Sequence, residues 1–309
     1  MLTTRRIRAA LAGAAACLLL APAAGAAEAP AKAADAYKAE VDAWHAARIA
    51  RLHSNTGWLT LVGLHDLDKA GVNTVGSAPG SQVQLIDKAP AHVGDFAFTG
   101  GHWTFTTAPG VAVTLADSAA TPVASLAVAT DREGPPTLLT CGPLLFYVIE
   151  RDDLCFVRVK DRESELLRTF TGIDRFAVDE KWRVVAHLEP GEAMVKVPNK
   201  LGQLTDTPSP GVLVFQLEGR TFRLTPTGSP GEELSIIFGD ATNTHETYGG
   251  GRFLDTDAPA PDGTVVLDFN KAYNPPCVFT PYATCPLPGA RNTLALPVTA
   301  GEKVWGMEH

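Results

Sequence analysis

Apolar and polar positions alternate in short runs along most of the chain after Trp58. Examples are Val83–Ile86, Phe96–Phe98, Trp103–Phe105 and Val111–Leu115, each bounded by Gly, Pro or Asp. Runs of this length and period are typical of β-strands joined by tight turns. The pattern therefore predicts a mainly β protein, built as an antiparallel sandwich or barrel.

Three pairs of these runs are predicted to form hairpins because only a few turn residues separate them. The paired runs are Leu144–Glu150 with Cys155–Lys160, Arg183–Leu188 with Ala193–Val197, and Val212–Leu217 with Thr221–Leu224.

One segment near the start has a different period. Between Ala31 and His53, apolar residues recur at three- and four-residue steps, and arginines lie toward the end, as the helix dipole favours. This predicts an amphipathic helix over 31–53 that precedes the β-rich part.

The first 26 residues resemble a targeting segment. Three arginines precede the apolar stretch Ala9–Ala24, and Ala24-Gly25-Ala26 fits a signal-peptidase site. We expect a cleaved signal peptide over 1–26, a periplasmic or secreted protein, and a single β-rich domain over 27–309. A subdivision near residue 130 is the alternative. No later run approaches the roughly 20 apolar residues of a membrane span, so we expect no stable membrane insertion after cleavage.

The charge balance narrows the choice of partners. The whole chain has 26 basic and 34 acidic side chains, a net charge of −8. The first 26 residues hold three arginines and no acid, so the mature chain has a charge of −11. This acidic balance argues against nucleic acid as the main partner.

Residues 235–288 carry the densest group of polar and rigidifying side chains. Two apolar runs, Ile236–Phe238 and Val265–Phe269, are each followed by a polar loop. Loops at the ends of neighbouring strands are where a rigid scaffold presents a site. We therefore expect the loops at 240–252 and 268–285 to enclose one polar pocket.

Within this pocket the first hypothesis is capture of a small anionic or polar ligand. Arg252 follows three glycines and could bind a carboxylate or phosphate through its guanidinium. Tyr248, Asn270 and Tyr273 would complete the ligand site. The alternative for Arg252 is a structural ion pair with an acid such as Asp268.

A second hypothesis is a metal- or thiol-dependent hydrolase. Asp268 or His245 would act as the base, and His245 with Cys277 and Cys285 could ligate zinc. Cysteine pairs in exported proteins often form disulfides, so a Cys277–Cys285 bridge is predicted, with buried free thiols or reactive thiols as alternatives.

Several segments of this region resemble the DUF1684 family. They are TYGGGRFL (247–254), DFNKAYNPPC (268–277), YATCPLP (282–288) and AGEK (300–303), with GWLTLVGL (57–64), KDRES (160–164) and FTGIDRF (170–176) upstream. The resemblance extends from about Trp44 to Lys303, and Gly289 stands where a further proline is expected. It implies no established activity, and the sequence leaves any cofactor unknown. A structural envelope protein is therefore a third hypothesis.

Overall fold

The chain is mainly β in a computed structural model that describes residues 25–306, with 40% of residues in strands and 15% in helices. The helices are α1 (Gly25–Leu52) and α2 (Glu165–Thr169). The strands are β1 (Leu61–Leu67), β2 (Val72–Gly76), β3 (Val83–Gln84), β4 (Gly94–Thr99), β5 (His102–Thr107), β6 (Thr114–Leu115), β7 (Ser118–Pro122), β8 (Ser125–Val128), β9 (Leu139–Cys141), β10 (Leu144–Arg151), β11 (Leu154–Asp161), β12 (Arg183–Glu189), β13 (Met194–Pro198), β14 (Leu204–Pro208), β15 (Val212–Leu217), β16 (Arg220–Leu224), β17 (Leu234–Asp240), β18 (Arg252–Thr256), β19 (Thr264–Asp268) and β20 (Thr293–Leu294).

The strands form five sheets, and nearly all neighbours are antiparallel. The sheet orders are β1-β11-β10-β9-β6-β7, β3-β2-β4-β5-β8, β16-β15-β12-β19, β18-β17-β20 and β13-β14. Only β2–β3 and β17–β20 pair in parallel among the described strands. The predicted mainly β, antiparallel class is confirmed. No described sheet closes into a barrel, which leaves the sandwich as the fitting architecture.

Two large apolar clusters fill the space between these sheets. The first spans 67–159 and is dominated by Phe96, Trp103, Phe105 and Phe146. The second spans 182–300 and is built around Trp182, Phe215, Phe238 and Phe269. Strands before and after residue 130 share one sheet, because β6 pairs with β9.

Two of the three predicted hairpins are present. β10 pairs with β11 through a turn in which Asp152 has a φ of 52°. β15 pairs with β16 through Glu218 and Gly219, whose φ values are 50° and 73°. Positive φ at both central positions matches the right-handed twist of the flanking strands.

The hairpin predicted between 183–188 and 193–197 is wrong. β12 lies between β15 and β19 and hydrogen-bonds to both, so neither of its edges is open to β13. β13 pairs instead with β14, across a turn in which the Asn199 N–H donates to the Gln203 carbonyl. The correct partners of β12, which are β15 and β19, are distant in sequence, and local spacing does not reveal them.

The predicted N-terminal helix is present, although α1 begins at Gly25 rather than at residue 31. Val41, Arg48 and Leu52 of its predicted stripe are buried. None of the described helices is long and apolar enough to cross a membrane. Residues 1–24 of the predicted signal peptide lie outside the described part. The chain divides into two compact units between residues 39 and 40. Every structural feature described below lies in the second unit, within residues 40–306.

Candidate functional site

Arg252, the predicted ligand clamp, is instead fully enclosed by protein, with 0% of its surface exposed. One nitrogen lies 2.8 Å from an Asp240 carboxylate oxygen and 2.9 Å from the Val298 carbonyl. The other donates to the Ala300 carbonyl. Burial lowers the pKa of Arg252, and Asp240 opposes that shift. Arg252 is therefore a structural residue, paired with Asp240 rather than with Asp268.

Asp268 and Asn270 are also occupied by the fold. Asp268 accepts the Asn270 N–H at 3.2 Å and so caps the single 3₁₀ turn after β19. The Asn270 side chain accepts the Asp179 N–H at 3.1 Å and donates to the Asp179 carbonyl at 2.9 Å. Both side chains are buried and tie this turn to the segment before β12.

Tyr273 and His245 each have a different set of neighbours. The Tyr273 hydroxyl donates to Asp255 at 2.8 Å, and the Arg48 guanidinium stacks over its ring at 4.7 Å. Burial raises the pKa of Tyr273 above the usual value. His245 is exposed in a turn where its N–H donates to the Thr242 carbonyl.

The structure therefore does not bring the predicted pocket residues around one cavity. Each side chain satisfies its own turn or neighbouring strand, which is the ordinary role of Asp, Asn and Thr at strand ends. Within residues 25–306, no three His, Cys, Asp or Glu side chains are arranged to hold a metal ion. The predicted zinc set of His245, Cys277 and Cys285 is accordingly not assembled.

Cys277 and Cys285 do lie together, but as buried free thiols rather than as the predicted disulfide. The Cys277 N–H donates to the Cys285 sulfur at 3.2 Å. Tyr248, the remaining predicted ligand residue, packs in the same small apolar cluster.

A different cavity lies on the outer face of the β10–β11 hairpin. Its volume is about 280 Å³, and it is lined by Thr56, Asp131, Pro136, Leu138, Leu145, Tyr147, Arg158 and Lys160. Arg158 and Lys160 occupy alternate positions of β11, opposite Tyr147 and Leu145 of β10. Because side chains alternate along a strand, Val157 and Val159 point to the other face, where they join the first apolar core.

Both basic side chains of this cavity are buried, with 7% of Arg158 and 6% of Lys160 exposed. Arg158 donates to the Thr284 hydroxyl at 3.2 Å, and Lys160 donates to the Thr56 carbonyl. The Trp58 ring lies over both cations, at 5.1 Å and 5.4 Å. The Arg158 Nε has no hydrogen-bond partner.

Neither cation is neutralised by an acid. Across the described residues, no carboxylate oxygen forms an ion pair with Arg158 or Lys160. The one acid in the wall, Asp131, is already occupied: it binds Arg151 at 2.8 Å and accepts the Glu150 N–H at 2.8 Å. Burial, assisted by the positive charge of Arg158, lowers the pKa of Lys160 to about 8.

This cavity was not found from the sequence, although a signal for it was present. The predicted β10–β11 hairpin already places Arg158 and Lys160 opposite Tyr147 and Leu145. Two cations opposite apolar partners on one strand face indicate burial. Charged runs usually lie on the surface, so the charge-rich segment 160–164 does not by itself indicate a buried lysine.

A larger groove of about 510 Å³ lies beside β13. Its cations are exposed and already paired, Lys196 with Asp206 at 2.9 Å and Arg291 with Glu192 at 3.1 Å. Exposed pairs of this kind have little unsatisfied charge to offer a ligand. The smaller cavity is therefore the stronger candidate site.

Comparison with known families supports the resemblance noted in the sequence. Residues 168–303 match the model of a family described as a protein of unknown function, DUF1684. The chain belongs to the DUF1684 family. An uncharacterized protein of Haloarcula marismortui, whose structure was determined by solution NMR, is 30% identical to it; the match covers 45% of this chain and 80% of that chain, with a TM-score of 0.38. A comparison with curated proteins gave no match.

The DUF1684 match includes Arg252, the 268–274 turn and the cysteine pair. Arg158 and Lys160 lie outside it, as do the two upstream segments 57–64 and 160–164.

Proposed function

We propose that this protein binds a small organic anion in the β10–β11 cavity. The observation that carries the proposal is the presence of two buried cations, Arg158 and Lys160, with no carboxylate partner. A buried charge is expensive unless it is paired. An anionic ligand would supply the missing negative charge.

The cations define where the negative group of the ligand would bind. The planar guanidinium of Arg158 suits a carboxylate or a phosphate, and its Nε has no hydrogen-bond partner within the fold. Lys160 would add a second positive charge from the same strand face. Trp58 covers both groups, which limits their access to water and strengthens their attraction for an anion.

The remaining wall defines the rest of the ligand. Leu138, Leu145 and the Tyr147 ring present apolar surface beside the two cations. A volume of about 280 Å³ is at the small end of known ligand sites. The expected ligand class is therefore a carboxylate or phosphate ester with a compact apolar or aromatic body.

The test uses benzoate as a probe anion and benzamide as its neutral counterpart. Isothermal titration calorimetry at pH 7 should detect benzoate binding to the wild type and much weaker binding of benzamide. Lys160→Met should weaken benzoate binding by at least tenfold. The matched control is Lys69→Met, which removes an exposed lysine that lies 5.3 Å over the Phe98 ring, and it should leave binding unchanged.

Two results would overturn the proposal. One is equal affinity for benzoate and benzamide, which would show that charge is not recognised. The other is unchanged benzoate affinity in Lys160→Met, which would place any binding elsewhere on the protein. Inorganic phosphate, tested in parallel, separates a preference for phosphate from a preference for carboxylate.

A further inference from the structure

Cys277 and Cys285 are held in fixed positions by two short structural elements. Cys277 lies in the 3₁₀ turn Pro276–Val278. The segment around Cys285 adds to the β13–β14 hairpin, since the Lys200 N–H donates to the Cys285 carbonyl at 3.0 Å and the Leu287 N–H donates to the Pro198 carbonyl at 2.7 Å. Both thiols are thus anchored by backbone hydrogen bonds.

The two cysteine side chains lie beside each other in one small apolar cluster. The Cys277 N–H donates to the Cys285 sulfur at 3.2 Å. Only 8% of Cys277 and 3% of Cys285 is exposed, so a small reagent is needed to reach them.

Two polar side chains adjoin the pair. The Tyr248 ring packs against the same cluster as Cys277, and both Tyr248 and Lys200 are near enough to shift the pKa of the Cys277 thiol. Lys200 is exposed, so the buried sulfur has a solvent-facing cation nearby. The pair therefore has a cation and a proton donor on the side that faces water.

These neighbours have opposite effects on the two thiols. The neighbouring Cys285 thiol lowers the pKa of Cys277 to about 7, with a further contribution from the positive charge of Lys200. The same proximity raises the pKa of Cys285. One sulfur is thus available as a thiolate near neutral pH, and the other remains a thiol that can resolve an oxidised partner.

We propose that Cys277 and Cys285 form a peroxide-oxidisable dithiol site in which Cys277 reacts first and Cys285 resolves it to a disulfide. This site is independent of the anion cavity and would remain if no anion binds there. A hydroperoxide is the proposed oxidant because it is small enough to reach a sulfur that is 8% exposed.

The reaction balances in two steps. The Cys277 thiolate attacks one peroxide oxygen, the O–O bond breaks, and the leaving hydroxide takes a proton, which leaves a sulfenic acid on Cys277. Cys285 then loses its proton and attacks the Cys277 sulfur, and the hydroxyl group leaves as water. In total, two thiols and one hydrogen peroxide give one disulfide and two waters.

The other two cysteines provide an internal comparison. Cys141 and Cys155 are also buried and free, but each lies in a strand that faces the first apolar core. Burial raises the pKa of Cys141. Among the residues that the structure describes, no lysine or tyrosine side chain acts on either sulfur as Lys200 and Tyr248 act on Cys277, so we expect both to react much more slowly than Cys277.

Peptide mapping of the folded protein tests the proposal. Reduced protein is exposed to hydrogen peroxide, denatured, alkylated and digested with trypsin. Peptide 272–291 contains both Cys277 and Cys285, and it should become lighter by two hydrogen atoms and resist alkylation. Peptides 133–151 and 152–158, which contain Cys141 and Cys155, should remain alkylated.

Variants then test the order of the steps. In Cys285→Ser, a 1,3-dione reagent should trap a sulfenic acid on Cys277, whereas Cys277→Ser should give no adduct on Cys285. Lys200→Met should slow the wild-type reaction several-fold at pH 7, and Lys200→Arg should restore it. These changes separate positioning by charge from a purely structural effect.

Two outcomes would reject the site. Peptide 272–291 could remain fully alkylated after a treatment that oxidises free glutathione in the same tube. Alternatively, all four cysteines could be oxidised at the same rate, which would indicate unfolding rather than a specific site. Both readouts use the wild-type protein, so they do not depend on the folding of any variant.

Discussion

Arg252 and Arg158 are both buried arginines, and their neighbours give them opposite roles. Arg252 binds one carboxylate and backbone carbonyls, so its charge is neutralised within the fold, although its Nε, like that of Arg158, has no hydrogen-bond partner. Arg158 has one hydroxyl, one aromatic ring and an unpartnered Nε. The residue type is the same in the two cases. Only the three-dimensional neighbours distinguish a structural arginine from one with unused binding capacity.

Replacing Arg252 should destabilise the protein rather than abolish ligand binding. Arg252→Met leaves the Asp240 carboxylate buried without its partner, which typically costs about 3–5 kcal/mol. Urea unfolding should show a loss of this size. Arg291→Met, which breaks an exposed pair with Glu192, is the control and should change stability by less than about 1 kcal/mol. Loss of benzoate affinity without loss of stability in Arg252→Met would contradict the structural role.

Replacing Lys160 should do the reverse and stabilise the ligand-free protein. The pKa of Lys160 is about 8 in the folded state and about 10.4 when unfolded, so the folded protein at pH 7 carries an unfavourable buried charge. Removing that charge should raise the free energy of unfolding by up to about 3 kcal/mol. Loss of the hydrogen bond to Thr56 should reduce this gain by about 1 kcal/mol.

The pH dependence gives a second measurement for Lys160. Between pH 8 and about 10.4 the unfolded chain binds more protons at this residue than the folded chain, so its contribution to stability rises with pH. The stability gain of Lys160→Met over wild type should therefore be largest below pH 8 and shrink toward pH 10. Benzoate affinity of the wild type should fall as pH rises above 8. A gain that grows with pH would contradict the assigned shift.

Strands and hairpins could be predicted from the sequence where the residues that pair are close together in the chain. The β10–β11 and β15–β16 hairpins follow from apolar runs and short turns. The neighbours of β12 could not be inferred, because β15 and β19 are distant in sequence. The loops after β17 and β19 were correctly singled out as polar. Their side chains nevertheless satisfy their own turns, and a list of residue types does not show that.

The β15–β16 turn allows a test at the scale of one element. Gly219 has a φ of 73° and no atom within 4 Å of an added Cβ, so Gly219→Ala introduces only backbone strain. We expect a loss of about 1 kcal/mol in unfolding free energy. Gly289→Ala is the matched control, since Gly289 has a φ of −68° and equally open surroundings. It should be neutral or slightly stabilising. Equal losses in the two variants would argue against the turn geometry.

At the scale of the whole molecule, the two apolar cores and the acidic net charge are typical of a globular protein. The two cores are formed by buried apolar residues from the segments 67–159 and 182–300. The side chains of the anion cavity and of the dithiol site are not among these core residues. Thr284 connects the two sites, because it binds Arg158 and precedes Cys285. The mainly β class of the fold could be predicted from composition and periodicity. The position of the sites depends on which strand faces are covered, and this is a property of the assembled sheets.

Export of the protein is the remaining prediction at this scale. The arginines before the apolar stretch and the Ala24-Gly25-Ala26 site predict cleavage after Ala26. Intact mass measurement of the protein isolated from its native host should therefore find Ala27 at the N-terminus. Removing three arginines shifts the net charge from −8 to −11, so isoelectric focusing should show a more acidic mature form. Leucine at both 24 and 26 should block processing, because small residues are required there. A protein that retains Met1 in its native host would rule out cleavage, and with it the proposed periplasmic or secreted location.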